Sequence, residues 1–437
     1  MTRFVLGSLF LNCQDQIYSE EYSDFIGNRS LIESKYALDC KQPLGAMFAS
    51  LYLKLSDGYE DGTVYGYYNI PKLFGLQDTG SMESSGILQV RENPDLKLDG
   101  SGVLIGFVDT GIDYAGSIFL KQDGTTRVIA IWDQTIPAES PIRLPELPTT
   151  IENITRTPEG FLYGSEFTHE QLNAAVKMED AYEGVSSRDE NGHGTFLASI
   201  AAGNELPDGS FTGAAPKADI AMVKLKPAKN RLRAYYQIKE DAVAYQENDI
   251  MAGVLYLVSL AKKRQQPLVI CLGLGTNAGS HRGSLPLARM LEELGSSVGI
   301  TIVAGTGNET SRGHHFEGQI SSESGYEDVE IRVAEGENGF FLELWASAPE
   351  TYSVAIRSPN GEVIPRIYVR PGRIEILNFA LAQTRVELSY RLSVTGTGEF
   401  LALLRFINIT PGVWTVRVYN DLFITGHYHM WLPIESF

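Results

Sequence analysis

The fold is decided by the stretch Gly102-Val-Leu-Ile-Gly-Phe-Val-Asp109-Thr-Gly-Ile-Asp113. Its apolar run ends on a carboxylate and is followed at once by Thr-Gly, which is a turn signal. Such a run is typical of a buried parallel strand, and α/β folds place their chemistry at the carboxyl ends of these strands. We therefore predict that Asp109 lies at the functional edge of a parallel sheet.

Two further motifs place polar side chains at the ends of predicted elements. In the segment Asn191-Gly-His193-Gly-Thr195, which opens a helical pattern, His193 lies 84 residues after Asp109. The run Ile302-Val-Ala-Gly-Thr-Gly-Asn308 ends on the side-chain amide of Asn308. A carboxylate can hold an imidazole in the tautomer that a general base needs, and an amide can donate to an oxyanion. Each motif alone also fits an ordinary turn, but their order and context predict that Asp109, His193 and Asn308 act together.

The region from residue 96 to residue 322 alternates between strand-like and helix-like runs. The strand-like runs are residues 103–108, 127–132, 219–224, 268–272 and 299–304, and the helix-like runs are residues 195–202, 248–263 and 284–297. This alternation predicts an α/β fold with a mostly parallel sheet and helices on both faces. Residues 1–95 form a mixed leader, in which we expect residues 15–28 to make one amphipathic helix.

The period of the hydrophobic pattern changes to two between residues 323 and 430. Alternating segments separated by turn signals predict an inserted β-sandwich or jelly-roll domain, after which residues 431–437 return to the core. Its aromatic residues are interpreted as core and cross-strand pairs rather than as a ligand platform. They are Phe340, Phe341, Trp345, Tyr352, Trp414 and Tyr419.

Composition limits the classes of partner. The 437 residues carry a net charge of -18, which argues against nucleic acid or an anionic membrane as partner. No apolar run approaches the ~20 residues that span a bilayer. The cysteines, Cys13, Cys40 and Cys271, predict neither a disulfide framework nor a metal site, and mildly favour a reducing, intracellular compartment. The pairs His314-His315 and His427-x-His429 are interpreted as loop and strand residues rather than metal ligands.

Together these motifs resemble the subtilisin-like serine proteases of peptidase family S8, and within them the clostridial Csp-like germination protease group. Val108-Asp109-Thr-Gly-Ile resembles the Asp motif, Asn191-Gly-His193-Gly-Thr the His motif, and Gly305-Thr-Gly-Asn308 the oxyanion segment. The resemblance implies a serine endopeptidase in which Asp109 orients His193, His193 is the general base and Asn308 serves the oxyanion hole. Its substrate edge would comprise Leu272, Gly273, Leu274 and Gly275, pairing with an extended peptide.

One motif of that family is missing from this sequence. The Gly-Thr-Ser-x-Ala segment that carries the nucleophile does not occur before Phe437, and Ser311, Ser436 and Thr79-Gly-Ser81 are poor replacements. We therefore expect one sheet face to be uncovered and the chain to be truncated before the Ser motif. It is then an N-terminal fragment, a truncated frame, or one half of a two-chain enzyme whose C-terminal fragment carries the Ser. The alternative is a non-catalytic pseudoprotease that acts as a sensor or interaction protein.

The resemblance carries further expectations. The substrate is a protein or peptide, the leader is a candidate prodomain with its junction near Gln89, and the location is bacterial, either intracellular or spore-associated. No cofactor is expected. Calcium is common in the wider family, but no calcium site can be read from this sequence.

Two rival interpretations are weaker. Asp-Thr-Gly occurs at Asp78 and at Asp109, as in an aspartic protease dyad, but 31 residues are too few to separate two β lobes. The β-sandwich could also bind carbohydrate or protein, although its aromatic residues are explained as core.

Overall fold

The structure is a computed structural model, and it describes residues 12–36, 40–54, 66–76, 98–144, 154–208, 210–321, 323–435 and 437. Its centre is a six-stranded sheet in which five strands are parallel and the last, β7, is antiparallel. In spatial order its strands are β12 (Ile300–Ala304), β10 (Leu268–Leu272), β5 (Leu104–Asp109), β8 (Asp219–Lys224), β6 (Val128–Asp133) and β7 (Ser165–Thr168). The predicted α/β sheet is confirmed, and its five predicted strands are the five parallel ones.

Helices cover both faces of this sheet, as predicted. The helices of the region are α3 (His169–Val176), α4 (Ala181–Gly184), α5 (His193–Ala202), α6 (Asn230–Tyr236), α7 (Glu247–Arg264) and α8 (Pro286–Gly295). Strand β5 alternates between two apolar clusters: Leu104 and Val108 pack on the α7 side, and Ile105 and Phe107 pack on the α5 side. Because both faces of β5 are buried, its sequence is a continuous apolar run rather than an alternating one.

Two antiparallel sheets form a sandwich after the α/β region. The first contains β13 (His315–Gln319), β22 (His427–Trp431), β15 (Gly339–Ala346), β20 (Phe400–Ile407), β19 (Thr384–Arg391) and β18 (Ile374–Phe379). The second contains β14 (Tyr326–Val333), β21 (Gly412–Asn420), β16 (Tyr352–Arg357) and β17 (Val363–Ile367). One apolar cluster fills the space between them, with Trp414, Leu344 and Val354 wholly buried in it. These additional antiparallel strands agree with the predicted insert.

The described part of the leader folds onto the core. It contains α1 (Cys13–Tyr18), β1 (Tyr22–Asn28), α2 (Arg29–Lys35), β2 (Cys40–Leu44) and β3 (Phe48–Lys54). The prediction of one amphipathic helix over residues 15–28 was wrong, because β1 pairs with β3 along its whole length and sheet pairing overrides the local pattern. The prediction of no disulfide was also wrong, since α1 and β2 bring Cys13 and Cys40 together in a disulfide with a Cα–Cα distance of 5.3 Å.

A small three-stranded sheet joins the leader to the core. Its middle strand is β4 (Leu73–Leu76), which lies between β9 (Tyr245–Gln246) and β11 (Leu274–Gly275) and is antiparallel to both. No helix in the described parts of the chain is both long and apolar enough to cross a membrane.

Candidate active site

The structure brings two of the predicted residues into direct contact. Asp109 ends β5 and His193 begins α5, and the His193 Nδ1 atom lies 2.8 Å from Asp109 Oδ1. Gly192, at φ 88°, makes the left-handed turn from which α5 starts. The His193 side chain is 14% exposed and that of Asp109 1%, so the pair faces solvent only through the imidazole.

Asp109 sits in an environment that is poor in water. Burial raises the pKa of its carboxyl, while the hydrogen bonds from His193 and from the Thr110 N–H act in the opposite direction. Its second oxygen, Oδ2, is buried and accepts no hydrogen bond among the described residues. All of the carboxylate's hydrogen bonding is therefore on Oδ1, the oxygen that faces His193, which suits a carboxylate that orients an imidazole.

A third residue, the acidic Asp189, was not predicted from the sequence, and it ties these two segments together. Asp189 Oδ1 accepts from the Thr110 hydroxyl at 2.7 Å and from the Gly192 N–H at 2.8 Å. Its Oδ2 accepts from the N–H and the hydroxyl of Thr195 at 2.8 and 2.6 Å. Burial acts to raise the pKa of Asp189, but these hydrogen bonds outweigh it and the pKa lies below its usual range. An acidic residue just before a helix start is the signal that could have identified it.

The backbone at Gly273 passes close to the His193 imidazole. A Cβ at this position would stand 3.1 Å from His193 Cε1, 3.3 Å from Asp109 Oδ2 and 2.3 Å from Leu197 Cδ1. Only a glycine lets the backbone pass this close to the pair without displacing a side chain. The chain then continues into β11, so the predicted substrate edge begins next to His193.

The four residues predicted for that edge divide into two groups. Leu272 ends β10 and pairs with Ala304 in the central sheet, and its contribution to the edge stays a prediction. Leu274 and Gly275 do form an edge, and the chain's own Leu76 and Gly75 pair with it. The other side of β4 pairs with Tyr245 and Gln246. The slot between β9 and β11 is thus filled by a segment of the leader.

Asn308 follows the carboxyl end of a strand that does not neighbour β5. It follows the end of β12 by four residues and is exposed, and β12 is separated from β5 by β10. The sheet therefore places Asn308 two strands away from Asp109. Ser311 follows it at φ 66°, in the same loop.

The sequence predicts an uncovered sheet face, and the structure shows partial exposure at one edge of the sheet. On the α5 side, Val303 of β12 is 50% exposed, and Val269 and Cys271 of β10 are only partly buried. Phe196, one turn after His193, is 48% exposed. Cys271 lies on a strand as predicted, and burial raises the pKa of its thiol to about 11. Because β12 is the edge strand of the sheet, its side chains have fewer packing partners than those of the inner strands.

The two histidine pairs meet at the junction between the core and the sandwich. His315 Nε2 lies 3.0 Å from His429 Nδ1, and the Trp431 indole is stacked between His281 and His315, with ring centroids 3.6 and 3.8 Å apart. His281, His315, His429 and Trp431 line a cavity of about 270 Å³. His314 instead pairs with Glu309, at 2.7 Å. The described residues contain no group of three or more His, Cys, Asp or Glu that could hold a metal ion.

The sandwich aromatics are almost all buried. Phe340, Phe341, Trp345, Tyr352 and Trp414 are at most 8% exposed, and Tyr419 is half-buried beside Arg366. Asp78, Ser81, Gln89 and Ser436, which entered the alternatives above, lie outside the described residues.

Comparison with known proteins agrees with this geometry. The model of the subtilase family, Peptidase S8, matches residues 100–339, which is more than half of the chain and includes both Asp109 and His193. The chain belongs to the subtilase family. This subtilase resembles the solved structure of the Clostridium perfringens CspB protease with a TM-score of 0.66 and 26% identity, covering 80% of this chain and 67% of that one.

A curated relative matches a shorter region. The subtilisin-like protease SBT3.8 of Arabidopsis thaliana is 29% identical over 133 residues, which is 29% of this chain. The chain spans only 16% of the length of that plant protease.

Proposed function

We propose that this subtilase chain supplies the general base and the substrate-binding edge of a serine endopeptidase. The observation that carries the proposal is the 2.8 Å contact between Asp109 and His193 beside the β11 edge. Asp109 holds the imidazole with its Nδ1–H toward the carboxylate, which leaves Nε2 as the proton acceptor. Asn308 is assigned to the oxyanion hole on its position at the same end of the sheet.

The reaction needs an oxygen nucleophile. As a Ser hydroxyl attacks the carbonyl carbon of a peptide bond, His193 takes its proton and passes it to the departing amine, leaving an acyl-enzyme. Water then attacks the ester and gives a proton to His193, which returns it to the Ser oxygen as the carboxylic acid and the free Ser are released. Because the sequence has no Gly-Thr-Ser-x-Ala motif, we assign that Ser to a polypeptide segment outside these 437 residues. Such a segment would cover Val303, which is half-exposed on the edge strand β12.

We also propose that the leader, residues 1–95, acts as a prodomain that occupies the cleft. Support comes from β4, which fills the slot between β9 and β11, and from two buried charge contacts between leader and core. Asp24 of β1 pairs with Lys229 and accepts from Gln246, and the backbone N–H of Lys72 donates to the Glu247 carboxylate at 3.1 Å.

The second candidate is a non-catalytic pseudoprotease or interaction protein. The observation that favours it is the same filled slot, because a cleft held closed by buried charges suits a scaffold as well as an inhibited enzyme. The intact Asp109–His193 pair favours the enzyme, since a scaffold has no need of it.

The deciding experiment is to sequence the coding region beyond the codon for Phe437 and to express the chain with whatever that region encodes. We expect a Gly-Thr-Ser-x-Ala segment and a protein that hydrolyses casein and reacts with a fluorophosphonate probe. Both His193→Ala and Asp109→Asn should abolish hydrolysis, whereas Asp123→Asn, in an exposed turn, should not. If a stop codon follows Phe437 and no partner chain restores hydrolysis, the pseudoprotease is the correct function.

A further inference from the structure

The outer face of the second sandwich sheet carries a cavity rimmed by arginines. Val354, Ile356 and Trp414 point inward and are buried in the core of the sandwich. Because side chains alternate along a strand, the residues between them on β16 and β21 point outward. On that outer side lies a cavity of about 410 Å³, and three arginines are among its lining residues. This volume is within the range of pockets that bind ligands, about 300–1,000 Å³.

The floor of the cavity is made of small side chains. On β16, Ala355 stands opposite Arg417 of β21, and Arg357 stands opposite Thr415. Ala355 is 7% exposed and Thr415 is 4% exposed although both lie on the outer face, because longer side chains surround them. The cavity therefore has a small, uncharged floor and a cationic rim.

Two of the three rim arginines already have carboxylate partners. Arg417 donates from Nε and Nη2 to the two oxygens of Asp328, at 2.6 and 2.7 Å. Arg366 pairs with Asp421 at the other end of the cavity. These two ion pairs are neutral overall, so the remaining positive charge of the rim is that of the third arginine.

That third arginine, Arg357, is exposed at the carboxyl end of β16. Its Nη2 donates to the Thr415 hydroxyl at 3.0 Å, and no Asp or Glu in the described parts of the chain lies within ion-pair distance of it. The hydrogen bonds from Arg417 lower the pKa of Asp328, and the charge of Arg357 acts in the same direction. Since Arg417 engages both oxygens of Asp328, the planar guanidinium of Arg357 can still receive a carboxylate from outside.

The sheet favours binding through side chains rather than through an added strand. Its edge strand next to β16 is β17, and Pro365 in β17 has no N–H to offer a further strand. Along β16, the outward residues are Ser353, Ala355 and Arg357. Ser353 accepts from Arg366 Nε at 2.8 Å, so a guanidinium stands near each end of this row. An extended peptide presents its alternate side chains at the same two-residue spacing.

We propose that this cavity docks an acidic peptide segment of a partner protein, with carboxylates at alternate positions, one of which pairs with Arg357. Charge complementarity supports an acidic segment, because the rim is positive in a chain whose net charge is -18. A long polyanion such as nucleic acid would be repelled by the rest of the surface, whereas a short segment contacts the rim alone. The inference does not depend on the proposed protease activity.

The test measures binding of a fluorescein-labelled Ala-Glu-Ala-Glu-Ala-Glu peptide to the full chain by fluorescence anisotropy. The matched Ala-Gln-Ala-Gln-Ala-Gln peptide should bind about tenfold more weakly or less, because hydrogen bonds between charged groups are the stronger ones. Raising the salt concentration from about 0.05 to about 0.5 M should weaken binding of the Glu peptide, because the contacts are exposed to solvent.

Variants locate the site. Arg357→Gln should weaken binding of the Glu peptide about tenfold or more. Arg332→Gln is the matched control, since Arg332 is exposed on β14 and does not line the cavity, and it should leave binding unchanged. Val363 is exposed and stands opposite Arg357 on β17. Val363→Glu should therefore place a competing carboxylate beside the guanidinium and weaken binding, whereas Val363→Gln should not.

Circular dichroism shows that each variant is folded. Equal binding of the Glu and Gln peptides, or binding that neither Arg357→Gln nor Val363→Glu weakens, overturns the inference. A single-stranded oligonucleotide that binds through Arg357 while the Glu peptide does not bind overturns it as well.

Discussion

The Asp189 carboxylate and the Thr110 hydroxyl are hydrogen-bonded at 2.7 Å, which joins the segment before His193 to the residue after Asp109. The side chains of Asp109 and His193, on different elements, keep a 2.8 Å contact only if those elements cannot shift. Asp189 also accepts from the first turn of α5, where a negative charge is favourable. It therefore acts as a positioning residue for the pair.

We expect Asp189→Asn to destabilise the chain by about 1–3 kcal/mol, because an amide cannot accept from all four donors around it. Urea unfolding measures this change. In the catalytic form, kcat should fall more than KM changes, because the imidazole is displaced while the β11 edge is untouched. The matched control is Asp123→Asn, whose carboxylate accepts from Thr125 in an exposed turn. Equal effects of the two substitutions would contradict a positioning role.

A second prediction concerns the close approach of backbone to imidazole. Gly273→Ala should reduce kcat/KM by about tenfold or more, because its methyl group would overlap Leu197 Cδ1 and press on His193. The control is Gly295→Ala, where the nearest atom beyond the helix would be 3.7 Å away. Steady-state kinetics with one peptide substrate compares the two variants. Unchanged activity in Gly273→Ala would show that the backbone here is not tightly fitted.

The pair was predictable from the sequence because its signals are local. Asp109 follows a run of buried strand residues and His193 follows a Gly turn at a helix start, so each motif carries its own context. The partners of β4 were not predictable in this way. A four-residue strand has no measurable period, and it pairs with residues about 170 and 200 positions away, as the register with Tyr245 and Gly275 shows. The disulfide between Cys13 and Cys40 was not predicted for a related reason, because a spacing of 27 residues does not indicate that two cysteines pair.

A third prediction follows from the histidines at the core–sandwich junction. Burial, followed by repulsion from the neighbouring imidazoles, lowers the pKa of His281 and of His315, although Asn277 and Glu317 act in the opposite direction. The folded state therefore prefers both rings neutral, so the unfolded chain binds more protons. This contribution to stability is present above the ordinary His pKa of about 6.5 and is lost as the pH falls through it.

We therefore expect the urea midpoint of the chain to fall between pH 7 and pH 5.5, because the unfolded chain takes up protons there that the folded state does not bind. The double variant His281→Asn with His315→Gln should lose part of that pH dependence. His169→Gln, outside the cavity, is the control and should follow the parent chain. A double variant whose midpoint falls as steeply as that of the parent would exclude these two rings as the cause.

The last prediction concerns the buried charges that hold β4 in the slot. Lys72 is wholly buried, and its ammonium donates to the carbonyl oxygens of Tyr67 and Ile70 at 2.7 and 2.6 Å. Burial lowers its pKa to about 8, against the attraction of Glu247 and Glu343. We expect Lys72→Met to cost about 3–5 kcal/mol, because it leaves those buried carboxylates without their cation. Adding Glu247→Gln should recover part of the loss.

Urea unfolding of the single and double variants measures this coupling. Limited proteolysis reports whether the leader is released, since a loosened β4 exposes the chain on either side of it to a protease. Lys54→Met is the matched control, because its partner Glu21 is exposed and water replaces the lost contact. A leader that stays protected in folded Lys72→Met would show that the other contacts, the pairing of β4 and the ion pair of Asp24 with Lys229, retain it without Lys72.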